Sequence, residues 1–461
     1  MADMKTYQDW LKVADKSEKD KMAFIKTLIS SYKSSQMYEN ALIGEDYYRG
    51  ENTTVRAFEK YLYNEFGEAV KDVISANHKI TTKFFKRDVV QANSVLLGNG
   101  VTWADGIGGE ALGKDFDRKL MYAGKKAQIA GVSYGFFNNK KVVIFKAQEF
   151  IPLKDEEDGL IKAGVRFWQL NANKPLRATM YELDGYTDYI YTKEDPEGII
   201  KSAKKNYIYT VRESEADGEE LVEGQNYPTF PIVPLYANDT ETSELTSLRQ
   251  GIDAYDLIKS GYANDQDDAN TIYWTITNAS GMTDRDLITV IDKLRKMHSA
   301  QLDDDQQIQS HATEAPYQGR EAILDRIEKD LYKDAMMLNT YDIASGAVTA
   351  TQIQAAYEPL NEKLDDYETC VSEFIARLLE VAGVEDEPTY DRSYIVNTSE
   401  TLDNVSKMAN YLPESYIREK TVTLLGDKDQ LSEIEDEIAK ESISRFNGGK
   451  ENNPKNNEDE T

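Results

Sequence analysis

The sequence "IQAAYEPLNEKLDDYETCVSEFIARLLEV" (residues 353–381) carries the most regular apolar pattern in the chain. Its apolar residues follow alternating steps of four and three: Ile353, Tyr357, Leu360, Leu364, Tyr367, Val371, Phe374, Leu378 and Val381. This heptad spacing predicts a long helix whose apolar seam is buried as a structural spine. Pro359 lies inside the pattern and should bend the helix, because it removes one backbone donor and crowds the preceding turn.

Two further helical patterns lie upstream of this seam. Apolar residues at steps of three and four predict a helix over 239–268, roughly 45 Å long at 1.5 Å per residue, and a second one over 320–338. The intervening residues 271–319 leave the pattern: they predict an extended run, a helix capped by Thr283 and another extended run. Residues 339–350, "NTYDIASGAVTA", are small and glycine-bearing.

The N-terminal half predicts helices followed by strands. Ser17 and Asp20 form a capping box that predicts a helix from about 17 into the low forties, and further helices are predicted over 77–100 and 115–135. Short β-rich runs between 141 and 213 predict an antiparallel region. Three prolines in 227–239 exclude a helix there and suit an extended connector. Helices are predicted again over 401–412 and 431–443, so the fold class is α+β and predominantly helical.

Composition excludes several classes of protein. The chain has 82 acidic and 54 basic residues, a formal net charge of −28, which argues against a conventional phosphate-gripping DNA-binding protein. Cys370 is the single cysteine, so no intramolecular disulfide can form and a reducing cytoplasm is the expected setting. No apolar run approaches the ~20 residues of a membrane span, and residues 1–10 do not resemble a signal peptide.

The aspartates of "GIDAYDLIKSGYANDQDDANTIYW" (251–274) raise the question of a metal site. An EF-hand loop requires a glycine at its sixth position, and neither "DQDDAN" nor "LDDDQQ" provides one. The chain also lacks the phosphate-binding G-x-x-x-x-G-K-[ST] motif and the G-x-S-x-G nucleophile elbow. We therefore expect no catalytic residues, no cofactor and no metal. Taken alone, the aspartates are typical of a solvated helix end.

The sequence resembles the portal proteins of tailed bacteriophages, of the type found in long-tailed phages of Gram-positive hosts. The resemblance spans roughly residues 30–440. It rests on the order and spacing of several motifs: "YYRGEN", "NHKITTKFFKRDVV", "LLGNGVTW", "GVSYG", "FPIVPLYAND", "GIDAYDLIKSGYANDQDD", "SGAVTATQIQ", "YIVNTSETLDNVSKMANYLPES" and "DKDQLSEIEDEIAKE". The chain departs from the family pattern at Gln91, where an aspartate is usual, at Val95, where a tyrosine is usual, and at Asn99-Gly100, which replaces a proline-bearing turn.

The resemblance implies a cyclic ring, commonly of twelve subunits, at one capsid vertex of the virion, through which double-stranded DNA is packaged and ejected. It also implies partners: the terminase motor, scaffold and capsid proteins, and head-completion proteins. The implied domains are a wing (1–236), a stem helix (239–268), a clip (271–319), a second stem helix (320–338), a tunnel loop (339–350), a bent wing helix (351–384), a crown (385–446) and a disordered tail (447–461).

The resemblance also gives the aspartates a role. In such a ring the stem helices would line the channel and face the DNA phosphates, and an acidic lining would let the DNA slide rather than bind. The candidate lining residues are Asp253, Asp256, Asp265, Asp267 and Asp268. The tunnel-loop candidates are Ser345, Gly346, Ala347 and Val348, and the seam helix is represented by Leu360, Leu364, Tyr367 and Val371.

Two alternatives to this interpretation stay open at the level of sequence. One is a structural head or adaptor oligomer without a DNA channel, which differs from the portal in lacking a bore near the ~20 Å width of the duplex. The other is a carboxylate-metal nuclease, in which carboxylates from separate elements would converge within ~4 Å.

Overall fold

A computed structural model describes residues 5–64, 66–73, 75–139, 141–213, 220–269, 273–277, 283–297, 307–311, 317–341, 349–393, 405–408, 411–425, 431, 433–438 and 440. Their contacts divide the chain into two units, Met1–Leu338 with Pro359–Ser393, and Asn339–Glu358 with Tyr394–Thr461. The fold is a mixture of helices and strands in which helix predominates, as the sequence predicts. The predicted tail 447–461 lies outside the described residues.

The N-terminal region forms separate helices: α1 (Tyr7–Ala14), α2 (Glu18–Lys33), α3 (Gln36–Arg49) and α4 (Thr53–Ala57). The Ser17 hydroxyl accepts a hydrogen bond from the Asp20 N–H, which confirms the predicted helix start. The predicted continuation into the low forties is wrong, because α2 ends at Lys33 and the Ser35 hydroxyl accepts the Tyr38 N–H to begin α3. A serine cap satisfies the N–H groups that a new helix start leaves free, so the break costs little.

Short strands and two longer helices follow: β1 (Tyr61–Tyr63), β2 (Ala69–Lys71), α5 (Phe84–Leu97), β3 (Val101–Trp103), α6 (Ile107–Leu112), α7 (Phe116–Ala130), β4 (Val132–Phe137) and β5 (Val142–Lys146). The helices predicted over 77–100 and 115–135 are present as α5 and α7, but both are shorter than predicted. Residues 77–83 are not helical. Gly131 ends α7 with φ of +91°, a conformation that glycine adopts readily, and the chain turns directly into β4.

The predicted antiparallel region is confirmed as a five-stranded sheet of β6 (Phe150–Lys154), β7 (Ile161–Trp168), β8 (Leu176–Glu182), β9 (Gly185–Tyr191) and β10 (Ile199–Ile200). The strands follow one another in chain order and pair antiparallel. Helices α1 and α2 cover one face, where Trp10, Phe24 and Ile25 join a core that includes Val165 and Met180. Burying such side chains contributes ~1.5 to 3 kcal/mol each, which makes this layer the main support of the sheet.

The next strands are β11 (Ile208–Glu213), β12 (Glu220–Gln225) and β13 (Ile232–Tyr236). Strands β11 and β12 form a hairpin, and β13 pairs with β4, which pairs in turn with β5. The proline-rich connector is therefore extended, as predicted, and forms an edge strand of a three-stranded sheet. Pro234 is tolerated at this edge because only one side of the strand has to donate hydrogen bonds.

Two long helices follow, separated by a strand pair and a shorter helix: α8 (Leu245–Ala269), β14 (Tyr273–Thr277), α9 (Asp284–Met297), β15 (Gln307–His311) and α10 (Tyr317–Asp334). Helix α8 begins at Leu245 rather than at the predicted 239. At 1.5 Å per residue it is about 37 Å long. Strands β14 and β15 pair antiparallel, and the Thr283 N–H donates to the Asp286 carboxylate at the start of α9. This confirms the extended, helical, extended order predicted for 271–319.

The apolar seam of α8 packs against α10. Leu245, Leu248 and Ile252 lie in one buried cluster with Leu331 and Tyr332 of α10. The same cluster includes Phe84, Phe85 and Val89 of α5. A narrow apolar seam therefore joins three helices of the first unit, in agreement with the predicted packing of similar helices side by side.

The seam helix is observed as α11 (Ala350–Ala382), with Pro359 inside it. Eight seam residues are buried: Tyr357, Leu360, Leu364, Tyr367, Val371, Phe374, Leu378 and Val381. Two glycines let the seam approach closely, since a Cβ on Gly124 would lie 2.0 Å from the Tyr367 hydroxyl and one on Gly135 would lie 2.6 Å from the Phe374 ring. The predicted spine is confirmed, whereas the bend at Pro359 stays a prediction.

The remaining described elements are β16 (Pro388–Tyr390), which pairs with β3, and α12 (Glu414–Leu425) in the second unit. Residues 405–408 and 433–438 are helical, within the helices predicted over 401–412 and 431–443. Across the described parts of the chain, no helix combines the length and the apolar character needed to cross a membrane. The division into wing, stem, clip and crown remains a prediction.

Replacing Leu364 by alanine should lower the free energy of unfolding by about 2 to 5 kcal/mol, because the side chain is fully buried and its removal leaves a cavity in the seam. Calorimetry of the purified protein measures the loss. The exposed Glu362 on the same helix provides the control, and Glu362→Ala should change stability by less than about 0.5 kcal/mol. Equal effects of the two substitutions would contradict the spine.

Candidate functional site

The aspartates of α8 belong to a row of polar side chains on one face of the helix. Its members, which we call the polar stripe, are Asp253, Asp256, Ser260, Asn264 and Asp267. They follow one another by steps of three, four, four and three residues, so their side chains point in one direction. Asp256, Ser260 and Asn264 are buried, which shows that this face of α8 is covered by protein.

The first part of the polar stripe binds the start of α4. The Asp253 carboxylate accepts hydrogen bonds from the Tyr47 hydroxyl and from the Thr54 hydroxyl, the latter at 2.8 Å. The Asp256 carboxylate accepts a hydrogen bond from the Asn52 amide at 3.0 Å. Asn52 is the cap of α4, since its side-chain oxygen accepts the N–H groups of residues 54 and 55. The carboxylates of α8 therefore hold a helix cap through its free amide group.

The rest of the polar stripe binds an extended segment of the backbone, residues 78–82. The His78 N–H donates to Asn264 at 2.6 Å, the Ile80 N–H donates to Ser260 at 3.0 Å, and the Thr82 N–H donates to Asp256 at 3.0 Å. Alternate N–H groups of an extended chain point to the same side, so they meet side chains spaced by one helical turn. The segment runs antiparallel to α8 and is paired to it rung by rung.

The two later aspartates contact nitrogen-bearing side chains at the far end of α8. Asp265 contacts Arg320 of α10, and Asp267 contacts the His78 ring. Both side chains are partly exposed. The side chain of Asp268 lies outside the described residues, as do the tunnel-loop candidates Ser345, Gly346, Ala347 and Val348.

The structure corrects one of the predicted lining residues. Asp256 is fully buried within the subunit, and both of its carboxylate oxygens accept hydrogen bonds from residues of the same chain. It cannot present its charge to a channel. Burial raises the pKa of Asp256, although the hydrogen bonds from Asn52 and Thr82 oppose the change. Because the folded-state pKa is raised, this group favours folding most at pH values below its usual pKa, and the contribution is lost as the pH rises through the folded value.

Sequence reasoning missed the polar stripe because it followed only the apolar seam of α8. The signal was available, since Asp, Ser and Asn recur at helical spacing from 253 to 267. Its partner was hidden by the prediction of a helix from residue 77, whereas residues 78–82 are not helical and donate alternate N–H groups to α8.

A family model, described as "Phage portal protein, SPP1 Gp6-like", matches residues 30–444. The match includes α8, the extended segment and the seam helix. The chain belongs to the phage portal protein family.

Two portal proteins illustrate the relation. The portal protein of Bacillus phage SPP1 is 24% identical over 354 residues, covering 73% of this chain and 68% of the relative. The portal protein of Clostridium phage phiCD119 is 22% identical over 262 residues, covering 51% of this chain and 57% of the relative. Both phages infect Gram-positive hosts, as the sequence resemblance predicts.

Solved structures of gene transfer agent particles are also similar to this chain. The neck of the native particle with C12 symmetry matches at 12% identity and a TM-score of 0.43, covering 74% of this chain and 89% of that chain. The neck of the empty particle with C6 symmetry matches at 12% identity and a TM-score of 0.44, with 74% and 90% covered.

Helix α5 fixes the end of the segment that precedes the tunnel-loop candidates. The Gln91 amide donates to the Leu338 carbonyl at 3.0 Å, and its side-chain oxygen accepts the Leu338 N–H at 2.9 Å. The family resemblance gives an aspartate as the usual residue here, and a carboxylate can accept the N–H but cannot donate to the carbonyl. The departure at Gln91 therefore adds a second hydrogen bond to the same backbone residue.

A buried ion cluster joins the same region to the seam helix. The Lys363 ammonium of α11 lies 2.8 Å from Asp88 of α5 and 3.1 Å from Glu244, and it donates to the Ala335 carbonyl at 3.2 Å. Burial disfavours the charged form of Lys363, but attraction by Asp88 and Glu244 outweighs it, and the pKa is raised. Lys363 therefore stays charged and connects α5, the start of α8 and α11.

The described residues contain no group of three or more His, Cys, Asp and Glu side chains placed to hold a metal ion. The polar side chains brought together on α8 are donors and acceptors for the protein itself, and their geometry is that of a structural joint.

Asp256→Ala should weaken the joint locally. We expect hydrogen exchange at the Thr82 amide to accelerate roughly ten- to hundredfold, because a buried hydrogen bond to a charged acceptor contributes about 1.5 to 3 kcal/mol. Exchange measured by mass spectrometry over residues 78–82 reports the change. Asp325→Ala, on the exposed face of α10, is the control and should leave this exchange unaltered. Unchanged protection in the Asp256 variant would show that the hydrogen bonds to α8 do not hold residues 78–82 in place.

Lys363→Met should destabilise the protein by about 3 to 5 kcal/mol, because it leaves buried carboxylates without their cation. Adding Asp88→Leu to Lys363→Met removes the buried carboxylate that the first change left unpaired. Thermal unfolding of the double variant should therefore be closer to that of the parent than to that of Lys363→Met. If the two losses simply add, the cluster is not a coupled unit.

Proposed function

We propose that this chain is the subunit of a cyclic portal ring at one vertex of a phage capsid, and that double-stranded DNA passes through the ring during packaging and ejection. The observation that carries the proposal is the family match over residues 30–444, which includes every element from the end of α2 to the second unit. The described helices α8 and α10 are packed side by side, as two stem helices would be.

The proposed partners are further copies of the chain, the terminase motor, scaffold and capsid proteins, and head-completion proteins. The proposed location is the virion, with assembly in the host cytoplasm. A ring of this kind needs two different surfaces on each subunit, so that contacts between neighbours run head to tail and close.

We propose an acidic channel lining with fewer aspartates than the sequence predicts. Asp256 is fully buried and the Asp253 side chain is only 18% exposed. The remaining candidates are Asp268 and the more exposed Asp265 and Asp267, which contact Arg320 and His78 of the same subunit. The strongly negative chain supports the sliding of DNA, because a surface without an excess of cations gains no counterion-release affinity. Residues 345–348 remain the proposed tunnel loop, with Gly346 at its centre.

Purified protein should assemble into closed rings that bind duplex DNA weakly and hydrolyse neither DNA nor ATP. Native mass spectrometry gives the subunit number, and negative-stain images show whether a central bore near the ~20 Å duplex width is present. Higher salt should favour the ring, because subunits of net charge −28 repel one another as they meet.

Three results would contradict the proposal. A monomer at micromolar concentration in both low and high salt excludes the ring. A closed oligomer without a bore favours a structural head or adaptor component. Cleavage of plasmid DNA on addition of Mg²⁺ favours the nuclease alternative.

A further inference from the structure

The hairpin of β1 and β2 exposes an unusual number of large apolar side chains. We call them the hairpin residues: Phe58, Tyr61, Leu62, Tyr63, Phe66, Val70 and Val73. Their exposed fractions lie between 47% and 85%, and all six strand positions are exposed. Single exposed apolar residues are ordinary on protein surfaces, but seven within sixteen positions of one hairpin form a patch of the kind that marks a binding surface.

The exposed side chains lie on both faces of the hairpin. Leu62 and Val70 are directly opposite one another in the strand register and share one face. Tyr61 and Tyr63 alternate with Leu62 along β1 and therefore point to the other face. A hairpin with one apolar face can lie flat on a partner, whereas one with two apolar faces buries them fully only by inserting into a cleft.

The chain is bound to α8 on either side of the hairpin. The polar stripe of α8 binds Asn52 and Thr54 before it and residues 78–82 after it. At the base of the hairpin, the Lys60 ammonium donates to the Ala76 carbonyl at 2.7 Å. Both flanks of the hairpin are therefore anchored before any partner arrives, which lowers the entropy cost of binding.

The amount of exposed apolar surface suits a stable protein contact. Seven large apolar side chains, each about half or more exposed, can supply much of the ~800 Å² that each partner contributes to a standard interface. In the unit that contains the hairpin, these side chains are left uncovered by the described residues. A two-stranded hairpin is only marginally stable by itself in water, so a lasting cover is favoured over an occasional one.

A ring subunit needs two association surfaces, and this need favours a second copy of the chain as that cover. Copies of a chain with net charge −28 repel one another over most of their surface. In the hairpin, Glu59 is neutralised by Lys71 at 3.1 Å and by Lys79 at 3.4 Å. Residues 58–73 also carry Glu65, Glu68 and Asp72, so the contact between two copies has to come from the apolar side chains and must outweigh the remaining repulsion.

We propose that the β1–β2 hairpin is an arm that inserts into a cleft of the neighbouring copy and supplies one of the two surfaces by which subunits associate. This proposal rests on the proposed function, since it assigns a contact within the ring. It adds the residues that make the contact and their mode of insertion.

The first experiment compares assembly of two double variants. Tyr63→Ser with Phe66→Ser should raise the concentration for half-assembly at least about a hundredfold, because aromatic anchors dominate interface energies. Leu170→Ser with Leu183→Ser is the matched control, since both residues are exposed apolar side chains in turns of the five-stranded sheet, and it should change that concentration less than about threefold. Sedimentation velocity gives the concentrations, and the unfolding midpoint of the monomer verifies that both variants fold.

The second experiment identifies the occupant. A photo-crosslinking amino acid replaces Phe66 in a copy that carries one affinity tag, and this copy is assembled with another that carries a different tag. Irradiation should yield a dimer bearing both tags, and mass spectrometry locates the linked residue on the second copy.

The outcomes separate this proposal from the one on which it rests. If parent rings form but the Tyr63 and Phe66 variant assembles like its control and no mixed-tag product appears, the arm is excluded and the ring stands. If the parent chain never assembles, both proposals fail. A product that joins residue 66 to a different protein excludes a second copy as the occupant.

Discussion

The structure around α8 depends on one interaction: the hydrogen-bonded pairing of an extended backbone segment with polar side chains on this helix. Three N–H groups, at His78, Ile80 and Thr82, find acceptors on a helix rather than on another strand. Without those acceptors, the segment that leads into α5 would lose the partners of its backbone donors, and α5 carries the residues that hold both α10 and α11. The joint is therefore the point from which the packing of four helices is set.

The second constraint is the pair of contacts that α5 makes on its other side. Gln91 binds the backbone of Leu338, and Asp88 binds Lys363 of the seam helix. The two residues are separated by one step of three on the same helix, so α5 holds the chain on either side of residues 339–350 from a single face. Leu338 before this segment and Lys363 after it are thus both bound to α5 of the first unit.

Much of the fold follows from periodicity in the sequence. The seam from Leu360 to Val381 is predictable residue by residue, because a heptad pattern sustained over that length is typical of a buried helical face, and all seven of its members are buried. The order of strands and helices in 141–311 is also predictable, since proline, glycine and threonine mark their limits. Family membership follows from the order of motifs along the chain, and the family match confirms it.

The failures have a common physical origin. Ser34 and Ser35 divide the predicted first helix because a serine can cap a new start, and no apolar pattern records that choice. The prediction that Asp256 faces a channel is wrong because its partners are distant in sequence. Asn52 lies 204 positions away in the chain and Thr82 lies 174 positions away. Long-range hydrogen bonds between polar side chains leave no periodic trace in either partner, so a single sequence does not show whether a carboxylate faces solvent or a helix cap.

The hydrogen bonds between α8 and residues 78–82 join two structures with different repeat lengths. Two residues of extended chain advance about 6.6 Å, whereas four residues of helix advance about 6.0 Å. Each rung therefore shifts the two scales by roughly half an ångström, and after three rungs the offset approaches half the length of a hydrogen bond. The pairing ends at Thr82, just before the backbone becomes helical at Phe84. Because the two repeats differ in length, only a limited number of extended residues can pair with one helix in this way.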